Sequence, residues 1–123
     1  MELSVYFKSI IDQDHASVVI CNLQHEIIYM NPAAIANYKN YGGASLLGKS
    51  LMNCHNEQSK KRIEEILDWF SKDAANNIIF TSHNEKKNYD VYVVALRNEN
   101  KELIGYYEKH EHRTLETKAP YSF

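Results

Sequence analysis

Near the end of the sequence, an acidic residue and two histidines stand at every second position, at Glu108, His110 and His112. Successive side chains of a β-strand point to opposite faces, so these three share one face if the segment is a strand. A carboxylate and an imidazole on one face can pair, or can hold a polar ligand through an acceptor and a donor. The same spacing suits a metal ion, but isolated His-x-His pairs usually bind none, and we expect no metal site.

Cys54-His55 raises the question of a nucleophilic thiolate. Catalytic partners usually come from distant sequence positions, and neighbouring residues in a loop seldom face each other. No glycine turn of the kind that forms an oxyanion hole accompanies the pair. We therefore expect no catalytic residue and no enzymatic activity.

The composition fits one globular domain of 123 residues, 44% of them hydrophobic and 24% charged. A formal net charge of -2 provides no basic field for nucleic acid and no polybasic patch for a membrane. No apolar run approaches the roughly 18 residues of a membrane span, and the N-terminal segment lacks the basic region of a secretory signal. Two cysteines without a C-x-x-C pair fit a reducing compartment, so we expect a cytoplasmic location.

The elements that must position these residues begin with an amphipathic helix. Leu3, Tyr6, Phe7 and Ile10 recur at helical spacing and predict a helix over residues 2–13. Its exposed apolar face would need either the rest of the chain or a second copy to cover it.

A hairpin and a second helix follow. Two β-branched runs at 18–21 and 27–30 flank a polar turn, which is typical of paired strands. Asn31 is a good N-cap and Pro32 suits the first helical position, so a helix should begin there and end at about residue 39. The remaining predicted features are a break at Gly42-Gly43, a long helix over 57–72, and strands over 78–82, 89–96 and 103–113. In the long helix, one apolar stripe at helical spacing consists of Ile63, Ile66, Leu67 and Phe70, and Arg62 belongs to the solvated face.

Several motifs in this order resemble those of PAS domains. The N-P-A-A turn at 31–34 follows the hairpin, L-L-G-K-S-L at 46–51 resembles the segment between their short middle helices, and Ile104-Gly105 resembles the entry to their last strand. The resemblance covers roughly residues 4–114. It implies an α+β fold, with a five-stranded antiparallel sheet in the order 2-1-5-4-3 and helices on one face.

The same resemblance implies a domain organisation. Residues 1–114 would form a single PAS domain that includes the N-terminal helix, and residues 115–123 a C-terminal tail. His112-Arg113-Thr114 stands where PAS domains carry a closing D-I-T triplet, whose Asp commonly ties the domain to a downstream signalling helix. A histidine replaces that Asp here.

A ligand site is the main functional implication of the resemblance. In PAS domains that bind ligands, the residue two positions before the Asp of the triplet points into the pocket, and that residue is His110 here. The protein is then expected to be a non-enzymatic sensory module that binds a small molecule between the sheet and the middle helices. The expected contacts are Tyr38, Cys54, His55, Tyr89, Val91, Tyr106, Glu108 and His110.

PAS domains often pair through an N-terminal helix, which implies a homodimer with Leu3, Tyr6, Phe7 and Ile10 at its interface. A signalling protein is a further candidate partner, whereas nucleic acid and a membrane are not expected. The alternative hypothesis is a PAS interaction or dimerisation module whose core is filled and which binds no ligand.

The cofactor, if there is one, stays open at this point. Some PAS domains bind haem through a histidine of their helical side, which makes His55 and His83 candidate ligands. Photoreactive flavin PAS domains carry the run N-C-R-F-L-Q, whereas residues 53–58 read N-C-H-N-E-Q. A flavin photosensor is therefore not expected.

Overall fold

The computed structural model describes residues 1–123, except for the side chain of Cys54. Short 3-10 turns at Lys39–Tyr41, Gly43–Leu46 and Leu51–Cys54 connect the second helix to the third. The helices are α1 (Ser4–Gln13), α2 (Pro32–Asn37) and α3 (Glu57–Lys72), and the strands are β1 (Ser17–Asn22), β2 (Ile27–Met30), β3 (Ile78–Asn84), β4 (Tyr89–Arg97) and β5 (Leu103–His112).

The five strands form one antiparallel sheet in the order β2-β1-β5-β4-β3, which confirms the predicted order. The first and last strands pair at its centre, with Val19 opposite Glu108 and Ser17 opposite His110. Strand β5 therefore has a neighbour on each side, and its inward-facing side chains lie in the middle of the domain.

The hydrophobic core lies between the inner face of the sheet and the helical layer. Ile66 and Phe70 of α3 are buried against residues of the sheet that include Val93. Ile63 and Leu67 pack against the same cluster and are partly buried. The apolar stripe predicted for this helix is therefore confirmed, and it fixes α3 over the sheet.

Asn31 joins three elements from a position with no exposed surface. Its side-chain oxygen accepts from the backbone N–H groups of Val18 and Ala34, each at 2.9 Å. Its amide nitrogen donates to the carbonyls of Ile11 and Ala16, again at 2.9 Å. The predicted N-cap of α2 is confirmed, and the same side chain also holds the end of α1 against β1.

Helix α2 ends at Asn37, two residues before the predicted end. The carbonyl of Tyr38 accepts from the N–H groups of Tyr41 and Gly43, each at 2.9 Å, which tightens the chain into a 3-10 turn. Gly42 and Gly43 have φ angles of 118° and 52°, so the predicted break falls where left-handed backbone favours glycine.

Arg97 of β4 ties the C-terminal end of α3 to the sheet. Its guanidinium donates to the carbonyls of Phe70 at 2.7 Å, Asn76 at 3.1 Å and Lys101 at 3.1 Å. The carbonyls at a helix C-terminus lack intrahelical partners, and a fixed fork of donors satisfies them. The contact anchors α3 at the end opposite the candidate site described below.

Helix α1 contacts the domain mainly through its C-terminal end. Asp12 accepts a hydrogen bond from Tyr29, and the Lys8 ammonium lies 5.5 Å from the centre of the Tyr29 ring. None of the residues of α1 is buried. The predicted interface residues Leu3, Tyr6, Phe7 and Ile10 are 47%, 58%, 57% and 68% exposed.

Candidate ligand-binding site

A cavity of about 310 Å³ lies between α3 and the inner face of β4 and β5. Both layers of the domain contribute to its lining. The helical side provides Tyr38, His55, Ser59, Arg62, Ile63 and Ile66, and the sheet provides Thr81, Ser82, Val91, Val93, Glu108 and His110.

Glu108 and His110 form the polar centre of this cavity. Nε2 of His110 lies 2.9 Å from Oε1 of Glu108, and their side chains are only 9% and 16% exposed. The hydroxyl of Tyr38 donates to the same carboxylate oxygen at 3.3 Å. The face shared by these two residues, predicted from strand alternation, is therefore the inner face of the sheet.

Two opposing effects set the ionisation of Glu108. Burial raises the pKa of this carboxyl, because an apolar environment disfavours the charged form. The hydrogen bond and electrostatic interaction with His110, helped by His55 and Tyr38, outweigh burial and leave the pKa below its usual value. The cavity therefore contains a carboxylate that is ionised at neutral pH.

Both ring nitrogens of His110 have partners. Nδ1 lies 3.3 Å from the Asn37 amide nitrogen, and Nε2 contacts Glu108. Nε2 donates to the Glu108 carboxylate, and Nδ1 faces the side-chain amide of Asn37. The ring also stacks on Tyr89, with centres 4.6 Å apart. Its orientation is thus fixed from three directions.

The structure brings together five of the expected ligand contacts: Tyr38, His55, Val91, Glu108 and His110 line the cavity. Tyr89 contacts His110 but faces a separate groove at the end of the sheet. The expected contact at Cys54 lies outside the described side chains.

Tyr106 lies in the core and does not line the cavity. It is 1% exposed, and its hydroxyl is 2.7 Å from Nδ1 of His25 in the turn between β1 and β2. Burial and its neighbour Cys21 raise the pKa of the Tyr106 hydroxyl, so it remains neutral. The alternation along β5 places it on the inner face, but the cavity does not extend that far.

A smaller apolar pocket of about 90 Å³ adjoins the first. Tyr38 and His55 line both spaces, so these two side chains stand between them. The rest of its lining is aliphatic: Val19, Ile27, Met30, Leu46 and Leu51. The two spaces therefore have polar groups at Glu108 on one side of Tyr38 and aliphatic surface on the other.

Sequence reasoning missed two polar contributors. Asn37 was placed only in the body of α2, and Arg62 only on the solvated face of α3. Arg62 lines the cavity while also lying 3.5 Å from Glu65. The sequence did contain a signal for Arg62, which directly precedes Ile63 of the apolar stripe. A residue at the edge of an apolar stripe lies next to the space that the stripe faces.

The two candidate haem ligands lie in different places. His55 lines the cavity, whereas Nδ1 of His83 lies 2.6 Å from Asp90 on the sheet, away from it. Among the described residues, no group of three His, Cys, Asp or Glu side chains is arranged to hold a metal ion.

The order of elements, the sheet and the cavity define a class of protein. A PAS domain family model matches residues 15–108, which is most of the chain. The chain belongs to the PAS domain family. PAS domains are generally non-catalytic sensory modules.

Solved structures share the fold. A PAS domain from Colwellia psychrerythraea is 15% identical with a TM-score of 0.67, over 92% of this chain and 98% of that one. The PAS domain of the fruit-fly ELK potassium channel is 16% identical with a TM-score of 0.60, over 91% and 98%. The Aer2 receptor of Vibrio cholerae, a dual PAS-heme oxygen sensor, is 16% identical with a TM-score of 0.57, over 80% and 95%. Such low identities establish the fold alone.

No curated protein matches the sequence. None of the helices in the described part of the chain is long and apolar enough to cross a membrane.

Proposed function

We propose that this PAS domain is a sensory module that binds a small polar molecule in the cavity between α3 and the sheet, and acts as a homodimer in cytoplasmic signalling. The observation that carries the ligand proposal is the ionised Glu108, held by His110 beside a cavity of about 310 Å³. No catalytic step is assigned to these residues.

The alternative, a filled interaction module, accounts less well for the charge. Desolvation makes a buried carboxylate expensive even when a histidine is its partner, and apolar residues of similar size are often as stabilising or more so. A domain needed only for docking would gain little from Glu108 and His110 on its inner face. A ligand that exchanges hydrogen bonds with them gives both residues a function.

The lining indicates the chemistry of the ligand. A carboxylate only accepts hydrogen bonds, so the group next to Glu108 should be a donor such as a hydroxyl or an ammonium. Arg62 provides donors on the α3 side of the cavity and suits an acceptor on the same molecule. The aliphatic pocket beyond Tyr38 suits an apolar end.

The experiment that tests this proposal is the absorbance spectrum and mass spectrum of protein purified from cells. We expect a small polar molecule, released on denaturation, in stoichiometric or near-stoichiometric amount. A Soret band would instead indicate haem, for which His55 is the better placed candidate. Protein that carries nothing, and that binds nothing in a screen of small metabolites, would favour the interaction module.

Replacing His110 with alanine should weaken binding of the co-purified molecule by about 1–3 kcal/mol. The change leaves Glu108 without its closest donor and so disturbs the polar centre of the cavity. The fraction of loaded protein in native mass spectrometry measures the effect. His112→Ala is the matched control, since His112 is exposed and does not line the cavity. If both variants and the parent carry the molecule in equal fractions, His110 does not contribute to the site.

The homodimer proposal rests on α1. Its apolar side chains are about half exposed or more, and burying such a surface against a second copy is favourable. The contacts of α1 with its own chain come from Lys8 and from the C-terminal end of the helix, so the exposed apolar face is available for contact with a second copy.

Replacing Tyr6 and Phe7 together with aspartate should shift the protein from dimer to monomer in sedimentation velocity. Two charges would then lie where apolar area is buried, and their desolvation opposes association. Ser4→Asp with Ser9→Asp adds the same charge to α1 outside the apolar stripe and should leave the dimer intact. A dimer that survives the Tyr6 and Phe7 changes would exclude this helix face from the interface.

A further inference from the structure

The two edges of the sheet differ in how their backbone groups are occupied. At the β2 edge, another part of the chain covers the strand: the N–H of Ile27 donates to the carbonyl of Lys49 at 2.9 Å, and the N–H of Gly48 donates to the carbonyl of Ile27 at 2.8 Å. Strand β3 forms the opposite edge, and among the described residues it pairs only with β4. Every second N–H and C=O group along the outer side of β3 is therefore open to another strand.

Strand β3 also lacks the residues that commonly protect an edge from pairing. Its seven residues include no lysine, arginine, aspartate, glutamate or proline. Ile79 packs on the core, so Ile78 and Phe80 face the outer side of the sheet, where they are 61% and 54% exposed. A register shift between Phe80 and Ser82 disturbs only the second half of the strand. The first half is thus an uncharged, apolar and unprotected edge.

A groove of about 460 Å³ lies between this edge and α3, and we call it the edge groove. A strand added to β3 would direct alternate side chains into the edge groove and onto the outer face of the sheet. Helix and strand both contribute to the lining, which consists of Arg62, Glu65, Ile66, Trp69, Ile79, Phe80 and Thr81.

The C-terminal tail of the chain, residues 115–123, has a sequence that suits such a strand. All nine residues are exposed, and the Tyr121 side chain is 90% exposed. In an extended tail, Tyr121 and Phe123 share one face, and Glu116 and Lys118 share the other. The tail therefore has an aromatic face and a face with one charge of each sign.

The aromatic face of the tail matches the outer side of the edge. Phe80 already contacts the Tyr92 ring of the neighbouring strand, with ring centres 5.7 Å apart. Tyr121 and Phe123 of an added strand would continue this aromatic row, and cross-strand pairs of aromatic and β-branched side chains stabilise a sheet. Exposed apolar surface is then covered on both partners.

The charged face of the tail matches the α3 side of the edge groove. Arg97 holds the C-terminal end of α3 next to the residue that precedes β3, so α3 runs antiparallel to β3. A tail that pairs antiparallel to β3 therefore runs in the same direction as α3. Glu116 then precedes Lys118 along the edge groove just as Arg62 precedes Glu65. Each charge of the tail meets its opposite on the helix.

Pro120 determines which backbone groups of the tail can pair. Proline has no N–H, so it is compatible with an added strand only where its nitrogen faces away from the partner. Backbone groups alternate in direction along a strand, so those of Ser122 also face away, and those of Ala119 and Tyr121 face β3. In the free tail, the N–H of Ser122 donates to the carbonyl of Ala119 at 3.2 Å, and this single turn opens when the tail pairs.

A second copy can provide this tail in a way that the same chain cannot. The tail leaves the sheet at Arg113, whose N–H donates to the carbonyl of Asn88 at 2.9 Å. The distance from β5 to the free edge of β3 is about three strand spacings, or about 14 Å. A crossing of this length takes about four residues and would leave Glu116 outside the edge groove.

We propose that the edge groove binds the C-terminal tail of a second copy of this chain, as an added strand antiparallel to β3. A nine-residue strand buries less surface than the interface of a stable dimer, so the contact is weak and transient. It uses a different surface from the α1 interface and requires no ligand in the cavity. It therefore forms only at higher concentrations than the α1 dimer.

A synthetic peptide of residues 115–123 is the probe, added to the ¹⁵N-labelled full-length chain and followed in ¹H–¹⁵N NMR spectra. We expect saturable shifts at the backbone amides of Ile78 and Phe80 and at the indole N–H of Trp69. The same peptide with Tyr121→Ala and Phe123→Ala should bind about tenfold more weakly or less. These changes are made in the peptide and leave the folding of the domain untouched.

Two N-methylated peptides distinguish strand pairing from general apolar adhesion. Methylation of the Tyr121 nitrogen removes a donor that faces β3 and should raise the dissociation constant about tenfold or more. Methylation of the Ser122 nitrogen alters a group that faces away and should change it less than about twofold. Equal effects of the two modifications would overturn the antiparallel pairing.

Phe80→Lys in the full-length chain places a charge on the open edge and should weaken binding of the parent peptide about tenfold or more. Ile104→Lys is the matched control, since Ile104 is 52% exposed but belongs to the central strand β5. It should change the affinity less than about twofold. Equal effects of the two lysines, or no effect of either, would overturn the assignment to the edge groove.

Dilution of the chain without peptide identifies the source of the tail. We expect the amides of Ile78 and Phe80 to move, as the concentration rises, in the direction that the peptide produces. The proposal is overturned if the peptide causes no saturable shifts. It is also overturned if these amides hold their peptide-bound positions at every concentration, because the tail of the same chain would then occupy the edge groove.

Discussion

Replacing Asn31 with alanine is expected to destabilise the domain by about 3 kcal/mol or more, at or beyond the upper end of the usual range for single substitutions. The change removes two acceptor and two donor contacts at once, all of them 2.9 Å long and sheltered from water. Backbone groups at Val18, Ile11 and Ala16 would lose their side-chain partner, and leaving buried polar groups unsatisfied carries the full desolvation cost. Urea denaturation of the parent and variant measures the difference.

Asn56→Ala is the matched control for this result. Asn56 caps α3 by accepting from the N–H of Ser59 at 2.8 Å, but it is exposed and ties no other element. Its loss should cost about 1 kcal/mol, the usual effect of a missing N-cap. If the two variants lose the same stability, Asn31 acts only as a helix cap, and the proposed link between α1, β1 and α2 is wrong.

Replacing Ile66 with alanine is expected to cost about 2–5 kcal/mol, because a large aliphatic side chain is removed from a packed interior. Ile66 is 9% exposed and lies in the middle of the apolar face of α3. It also lines the cavity, so the variant should enlarge the space beside Glu108. Chemical denaturation gives the loss of stability.

Lys61→Ala in the same helix controls for helix propensity, since Lys61 is exposed. It should change the stability by less than about 0.5 kcal/mol. A melting temperature for Ile66→Ala within a degree or so of the parent would mean that this face of α3 does not support the core.

The Glu108–His110 pair also links stability to pH. The pKa of Glu108 is below its usual value in the folded chain, so its ionised form contributes stability above the unfolded pKa. That contribution is lost as the pH falls through the folded pKa and the carboxylate takes up a proton. A ligand that donates to Glu108 would favour the same ionised form, so ligand binding and acid stability should change together.

Local patterns in the sequence were sufficient to predict the helices and strands and part of the candidate site. Strand alternation placed Glu108 and His110 on one face, and the structure shows that this face is the inner one. The Asn31-Pro32 signal located the start of α2, and the stripe through Ile66 gave the buried side of α3. Each of these depends only on residues a few positions apart, for which the geometry of a helix or strand is fixed in advance.

Tertiary structure alone decided which inward-facing residues meet open space. Tyr106 and Glu108 share a face of β5, yet Tyr106 fills the core beside His25 whereas Glu108 borders a cavity. Asn37 of α2 lies 3.3 Å from His110 of β5, far away in the sequence, and the Ser17 hydroxyl is buried without a hydrogen-bond partner among the described residues. The sequence determined the faces of the elements, because those follow from backbone periodicity. Cavities and cross-element contacts follow from how the layers pack, and no local pattern contains that information.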